Sequence, residues 1–220
     1  MSQCHDPQPL LPLDTQASEL AHGPDSTVKR VAKRARYDRA SVYQLVDQLK
    51  LGHIAFVANN RPVVIPMTVW RVDDHLYFHV ANKSRLQKHL EAGQEVCLSF
   101  ASYDAWVMSK SAYHHSANYR SCVLFCSGER VTAAEEFDRV FNVLLEQMEE
   151  GRSTQVRPPN DKERYITSLM KLTINEGSFK QRDEGVHEEP EDLALPVWNG
   201  VAAICPFSGR AEKPADPAEC

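Results

Sequence analysis

The chain has 220 residues, 42% of them hydrophobic, and its 25 Lys and Arg against 30 Asp and Glu give a formal net charge of −5. That length buries one sizeable core rather than two full domains, and the mildly acidic balance supplies no general attraction to nucleic acid or acidic membranes. No apolar run approaches the roughly 20 residues of a membrane-spanning helix, and no secretory stretch follows Met1, so a cytoplasmic protein is expected.

Residues 1–35 read as a flexible arm: prolines and polar residues without periodicity, then the basic run Lys29, Arg30, Lys33, Arg34 and Arg36. With no aromatic stacking platform between them, these cations read as a solvated arm or as cover for an acidic neighbour, and no nucleic acid is expected. From Asp38, a capping residue, Val42, Leu45, Val46 and Leu49 recur at helical spacing, with Gly52 just beyond the predicted end. The period then changes to two. Three β-rich runs follow between Gly52 and Val80, with turn chemistry at Asn59-Asn60 and Asp73-Asp74.

A short helix is predicted from Lys83 to Gly93, followed by strands in EVCLSFA, AWVMSKSAY and YRSCVLFCSGERV. Thr132 to Glu135 has the pattern of a capping box for a helix whose Phe137, Val140, Phe141, Leu144, Leu145 and Met148 form one apolar stripe. Pro158-Pro159 interrupts the chain, Asn160 or Asp161 starts a helix running through Leu169, and KLTINEGSFK reads as a last strand. The tail is acidic from Asp183, yet it carries Leu193, Leu195, Val197 and Trp198, which are expected to dock on this subunit or on a partner. The whole reads as mainly β with helices, a six- to seven-stranded antiparallel Greek-key barrel. Of the six cysteines, Cys4, Cys97, Cys122, Cys126, Cys205 and Cys220, none forms a CxxC pair, and Cys122 and Cys126 share strand parity, so buried free thiols are expected.

Two stretches carry chemistry. A helix start bears partial positive charge and ordinarily attracts carboxylates, but this one opens on Lys83, Ser84 and Arg85, with Lys88 a turn later. Two cations, a hydroxyl and helix-start amides suit a phosphate, while solvent-facing cations are the ordinary alternative. The second stretch, Lys110 to Ser121, gathers His114, His115, Asn118, Tyr119, Arg120 and Ser121. It reads as a metal or haem ligand at His114 or His115, a loop that binds a polar ligand, or a plain polar loop. A zinc site needs three or four ligands, and the sequence has neither HExxH nor a Cys-His cluster, so no metal is expected. Acyl transfer lacks both a nucleophile elbow and an orienting carboxylate.

Taken in order, GHIAFVANNRPVVIPMTVW, LYFHVANKSRLQKHLEAGQEVCLS, SAYHHSANYRSCVLFCSGERV and LPVWNGVA resemble the flavin-nucleotide-binding proteins of the pyridoxamine 5′-phosphate oxidase-like superfamily, near the nitroimidazole-resistance branch. The resemblance implies an FMN-binding split barrel over 36–182, a homodimer with FMN in clefts at the subunit interface, and a C-terminal extension, 183–220, docking through Leu195 to Trp198. It places the FMN phosphate on Lys83, Ser84 and Arg85, and the flavin edge along Pro66, Met67, Thr68 and Val69, through backbone groups and the Thr68 hydroxyl. His79 is implied at the ribityl chain, Asn118, Tyr119, Arg120 and Ser121 near the flavin or the partner, and Trp198 as a residue completing the neighbouring site. His114 and His115 become candidate catalytic proton donors. The implied activity is a flavin-dependent oxidoreductase acting on a small molecule; a flavin carrier or sensor, a haem-binding relative and a deazaflavin-using relative are the alternatives. The arginine-leucine-histidine-aspartate-arginine tail of the true pyridoxamine phosphate oxidases is absent, which argues against vitamin B6 oxidation.

Overall fold

A computed structural model describes residues 18–204 and the backbone of 211 and 212. The first seventeen residues of the expected arm and the end of the tail, with Cys4, Cys205 and Cys220, lie outside the described residues. Residues 18–36, expected within or beside the arm, pack on the sheet: Leu20 is fully buried, its N–H donates to the Tyr37 carbonyl at 2.6 Å, and strand β1 (Ala35–Arg36) pairs with a later strand. Arg34 donates two hydrogen bonds to Glu184, so this basic run does cover an acidic neighbour.

Helix α1 (Arg39–Leu49) starts where Asp38 accepts from the Ser41 amide at 2.7 Å. It ends at Lys50, whose backbone is left-handed with φ 53° and whose N–H returns to the Val46 carbonyl. Gly52 is therefore not the helix stop. It lies inside β2 (Leu51–Ala58), where a Cβ would come within 2.8 Å of Phe100 and 2.9 Å of Leu98. Asn59 and Asn60, at φ 51° and 57°, form the tight turn into β3 (Arg61–Thr68), as their residue types predict. β4 (Trp70–Val72) turns at Asp73, φ 54°, into β5 (His75–Ala81).

Helix α2 (Arg85–Glu91) leads to β6 (Val96–Met108), which joins two of the expected strands into one with a register shift between Tyr103 and Ala105. A 3-10 turn (Ala112–His114) precedes β7 (Ser116–Arg130). Helix α3 (Ala134–Met148) is capped by Ala133 without a side-chain bond, so the box expected at Thr132 is not formed; the Val131 amide is still held by the Leu169 carbonyl, and the chain turns one residue later. After α4 (Arg152–Gln155), a true capping box of Asn160 and Glu163 starts α5 (Asp161–Ile166). That helix stops before Leu169, because β8 (Thr167–Arg182) pairs the buried Leu169, Met170 and Leu172 with His79, Phe78 and Leu76. The unforeseen β9 (Gly200–Ile204) pairs with β6, and β10 (Ala211–Glu212) with β9.

All ten described strands form one antiparallel sheet that does not close, ordered β10-β9-β6-β7-β8-β5-β4 with β1 on β8, β2 on β6 and β3 on the outer edge of β2. The count exceeds the expected six or seven because β1, β4 and β10 are only two or three residues long and β9 arises from the tail. Inside the curl, α1 and α2 pack Val42, Leu45, Val46, Leu86 and Leu90 against Ile54, Phe78, Phe100, Leu124 and Met170. A second core forms on the other side of β5, where α3 sets Phe137, Val140 and Leu144 against Trp70, Tyr77 and Leu169. The Trp70 indole N–H donates to the Val140 carbonyl at 3.1 Å, which fixes α3 in register with β4. Cys122 and Cys126 are buried as their parity predicts; burial pushes the Cys122 thiol up to about 12, so both are apolar packing groups.

Candidate functional site

The junction between β5 and α2 is a braced turn. Lys83 is left-handed at φ 65°, the Asn82 amide donates to the Ile166 carbonyl at 2.9 Å, and the Asn82 side chain donates to the Tyr165 carbonyl at 3.0 Å. The Lys83 amide donates to Gln87 Oε1 at 2.7 Å, and Ser84 Oγ accepts from the Gln87 amide at 3.2 Å. Buried Gln87 is in turn held by the Ser168 hydroxyl and donates to Glu91. The expectation that several helix-start amides serve an anion is thus narrowed: those of Lys83, Ser84 and Gln87 have internal acceptors, and by helix geometry those of Arg85 and Leu86 remain. Lys83 and Arg85 are exposed, and among the described residues neither forms an ion pair. A cationic turn held rigid by its own hydrogen bonds can receive an anion without reorganising.

Pro66 and Thr68 lie on β3, which pairs with β2 alone among the described strands, so its outer backbone edge is open. Proline fits such an edge because it lacks the N–H a central strand would need. Their side chains point outward, whereas Met67 packs on the barrel core and Val69 is completely buried; those two offer only backbone to a ligand. The outward face here is apolar over four strands in register: Val64, Ala55, Cys97 and Phe125 are successive cross-strand partners. Val57, Val64 and Tyr103 on this side are 60%, 59% and 67% exposed, more apolar surface than isolated positions explain.

His79 faces the α3 side of β5, 6.2 Å from Trp70 and 5.7 Å from Phe141 between ring centroids. The residue as a whole remains exposed, but this partial cover lowers its pKa and favours the neutral ring.

The segment Asn118 to Ser121 is occupied differently. Asn118 is buried; its Oδ1 accepts from Arg182 at 2.5 Å and from the Glu184 amide at 3.1 Å, and its amide donates to the Glu184 carbonyl. Arg120 grips Asp104 with two bonds, at 2.9 and 2.7 Å, and donates to Gln48 at 2.6 Å; the Asp104 bonds raise its pKa further. Tyr119 and Ser121 are half-buried beside them. In one subunit this segment and the cationic turn stand far apart along β8: His79 pairs with Leu169 and Arg120 with Gln181, about twelve residues and up to roughly 40 Å of strand.

Around His114 and His115 the chain folds back on the tail. His115 is exposed, and its Nδ1 donates to the Ser111 carbonyl at 2.9 Å. His114 Nε2 lies 3.3 Å from Glu189 Oε1. Glu188 accepts from the Ser109 hydroxyl, the Lys110 amide and Asn199, and Lys110 Nζ donates to the Leu193 and Leu195 carbonyls. The tail therefore docks through its carbonyls and Glu188, while Leu193, Leu195 and Val197 stay exposed. The Trp198 ring covers Gly200, where a Cβ would fall 2.7 Å from it. A surface groove runs along α3 from Glu135 to Gln147 and contains none of the expected site residues.

Residues 38–181 match the family model described as pyridoxamine 5′-phosphate oxidase. The structure of the flavocytochrome Anf3 from Azotobacter vinelandii is 31% identical, covering 89% of this chain and 90% of that one with a TM-score of 0.76. The structure of an FAD and haem binding protein from Mycobacterium smegmatis is 26% identical over 84% of this chain and 95% of that one, TM-score 0.70. A candidate 5-nitroimidazole antibiotic resistance protein from Bacteroides thetaiotaomicron shares the fold, at 16% identity over 68% and 90% of the two chains and a TM-score of 0.56. None of the curated proteins matches. No described helix is long and apolar enough to cross a membrane.

Proposed function

We propose a flavin-binding redox function from one premise: the chain belongs to the pyridoxamine 5′-phosphate oxidase family. The observation that carries the reading is the rigid cationic turn, with Lys83 and Arg85 exposed and without a carboxylate partner among the described residues. Lys83, the Arg85 guanidinium and the Ser84 hydroxyl hold the 5′-phosphate common to FMN and FAD. The open edge of β3 offers the carbonyl of Pro66 and the hydroxyl of Thr68 to the polar rim of the ring system. A bound flavin supplies reversible one- and two-electron transfer.

The site is completed by a second copy of the chain. The apolar row Val64, Ala55, Cys97 and Phe125 is the face on which two barrels meet, and the separation of the cationic turn from the histidine loop along β8 supports a cleft that takes its two walls from different subunits. Trp198 and the histidine loop then approach the flavin bound by the partner. The protein acts as a flavin-dependent oxidoreductase toward a small molecule. Mass measurement of the small molecule released on denaturation distinguishes FMN from FAD, and stopped-flow reoxidation with candidate acceptors separates an enzyme from a carrier. A purified dimer that takes up neither nucleotide overturns the reading.

A second reading adds haem, as in the two more similar solved relatives. His115 favours it: the residue is exposed, and an Nδ1–H held by the Ser111 carbonyl leaves Nε2 as the ligating nitrogen of a neutral ring. Haem titration of the purified protein gives a Soret band that His115→Ala abolishes; an unchanged band in that variant removes the assignment.

A further inference from the structure

We infer that His114, His187 and Glu189 form a binding site for a divalent transition-metal ion of the zinc class, separate from the flavin phosphate turn. Each offers one ligand atom, and the three atoms lie within 4.8 Å of one another. His114 Nε2 and His187 Nε2 each stand 3.3 Å from the same oxygen, Glu189 Oε1. Zinc bonds of 2.0 to 2.1 Å in tetrahedral array put ligand atoms about 3.3 Å apart, so two of the three edges already have the right length. The two imidazoles meet edge to face, with centroids 4.7 Å apart, rather than stacked, and both Nε2 atoms converge on Glu189 Oε1. Two imidazoles and a carboxylate leave a fourth position for water, a donor set that suits zinc and its cobalt substitute.

The ligands come from two segments that other bonds already hold in place. His114 ends the 3-10 turn after β6, and Ser111 caps that turn by accepting from the Tyr113 amide at 3.3 Å. His187 and Glu189 flank Glu188, whose carboxylate is fastened to Ser109, Lys110 and Asn199 at 2.9 to 3.0 Å. Lys110 draws the following turn inward through the Leu193 and Leu195 carbonyls. With its carboxylate taken up by these donors, Glu188 is an anchor and not a fourth ligand. His187, with 70% of its side chain exposed, can turn onto an ion. A bound ion would clip the segment that carries Trp198 to the histidine loop.

The test uses the full chain, stripped with a chelator and titrated with Co(II), with absorption between the ultraviolet and the red recording the ligand field and flavin content read in the same samples. One ion per chain, displaced by Zn(II), is expected. His187→Ala and Glu189→Gln should each weaken it at least about tenfold, and His75→Ala should not. Zinc should also raise the melting temperature of the wild type but not of either variant. Stoichiometric binding that both variants retain overturns the proposal, as does the absence of any binding at one ion per chain. So does a Soret band that depends on His114 and His187 together, which would give the cluster to haem.

Discussion

The turn at Asn82 to Arg85 and the segment Asn118 to Ser121 are both polar, both flank β8, and differ in where their charge is spent. Arg120 is closed off by Asp104 and Gln48, and Asn118 by Arg182 and the Glu184 backbone. Lys83 and Arg85 hold no such partner among the described residues, while the backbone that presents them is tied down at four points. A polar group whose capacity is filled within the subunit stabilises the fold; one that is presented rigidly and left unfilled is available to a ligand. The contrast separates Asn118 and Arg120, whose hydrogen-bonding capacity is filled within the subunit, from Lys83 and Arg85, on which the proposed phosphate site rests.

The strongest claim of this contrast concerns Asn118. Replacing it with Leu strips a hydrogen bond from the Arg182 guanidinium, whose side chain is only 9% exposed, and should cost about 3 kcal/mol. Urea denaturation of the cofactor-free protein measures it; unchanged stability would return Asn118 to the list of ligand-facing residues. Next is the double change Lys83→Ala with Arg85→Ala, which should weaken flavin binding about 30-fold, or about 2 kcal/mol, while shifting cofactor-free stability by under about 0.5 kcal/mol. Fluorescence titration with FMN and FAD reads the first quantity and thermal melting the second. Arg120→Ala should reverse that pattern, losing about 1 kcal/mol of stability from a bidentate pair whose side chains are 20% and 31% exposed, with little change in flavin affinity.

The smallest effect is a pH dependence at the tail. The hydrogen bonds from Arg34 hold the Glu184 carboxyl below its ordinary value of 4.5. A carboxyl depressed on folding adds stability that is complete above the unfolded pKa and is lost as pH falls through the folded one. The melting-temperature gap between wild type and Glu184→Gln should therefore be constant near neutrality and close on acidification. A gap that widens on acidification would show that the pair has the opposite linkage.

Short-range chemistry in this chain was legible where a residue acts on its own neighbours. Asn59-Asn60, Asp73, the Asp38 cap and the parity of Cys122 and Cys126 all act within a few residues. Gly52 was misassigned because a glycine after an apolar helix looks like a stop, and only Phe100 and Leu98, far along the chain, reveal that it makes room. Leu169 fits a helix pattern and a strand equally well, and its pairing with His79 decides the matter. At the site, Lys83, Ser84 and Arg85 stood out because their charge opposes the helix dipole, a local anomaly. Asn118 and Arg120 looked equally suited to a ligand, since their partners Arg182, Glu184, Asp104 and Gln48 are distant in sequence or unremarkable in type. His187 and Glu189 gave no metal signal because their third member lies 73 residues or more upstream.

One consequence of β8 concerns how the chain emerges during synthesis. Thr167–Arg182 pairs with β1, β5 and β7, so the edges of those strands have no partner until that segment has left the ribosome. Until then Leu76 and Phe78 lack their sheet neighbours Leu172 and Met170, and contacts of such long sequence separation form slowly. A nascent chain paused before Thr167 would display the open edges of β5 and β7 to any neighbour on the same polysome, which makes the interval before β8 emerges the one in which this protein most needs a chaperone.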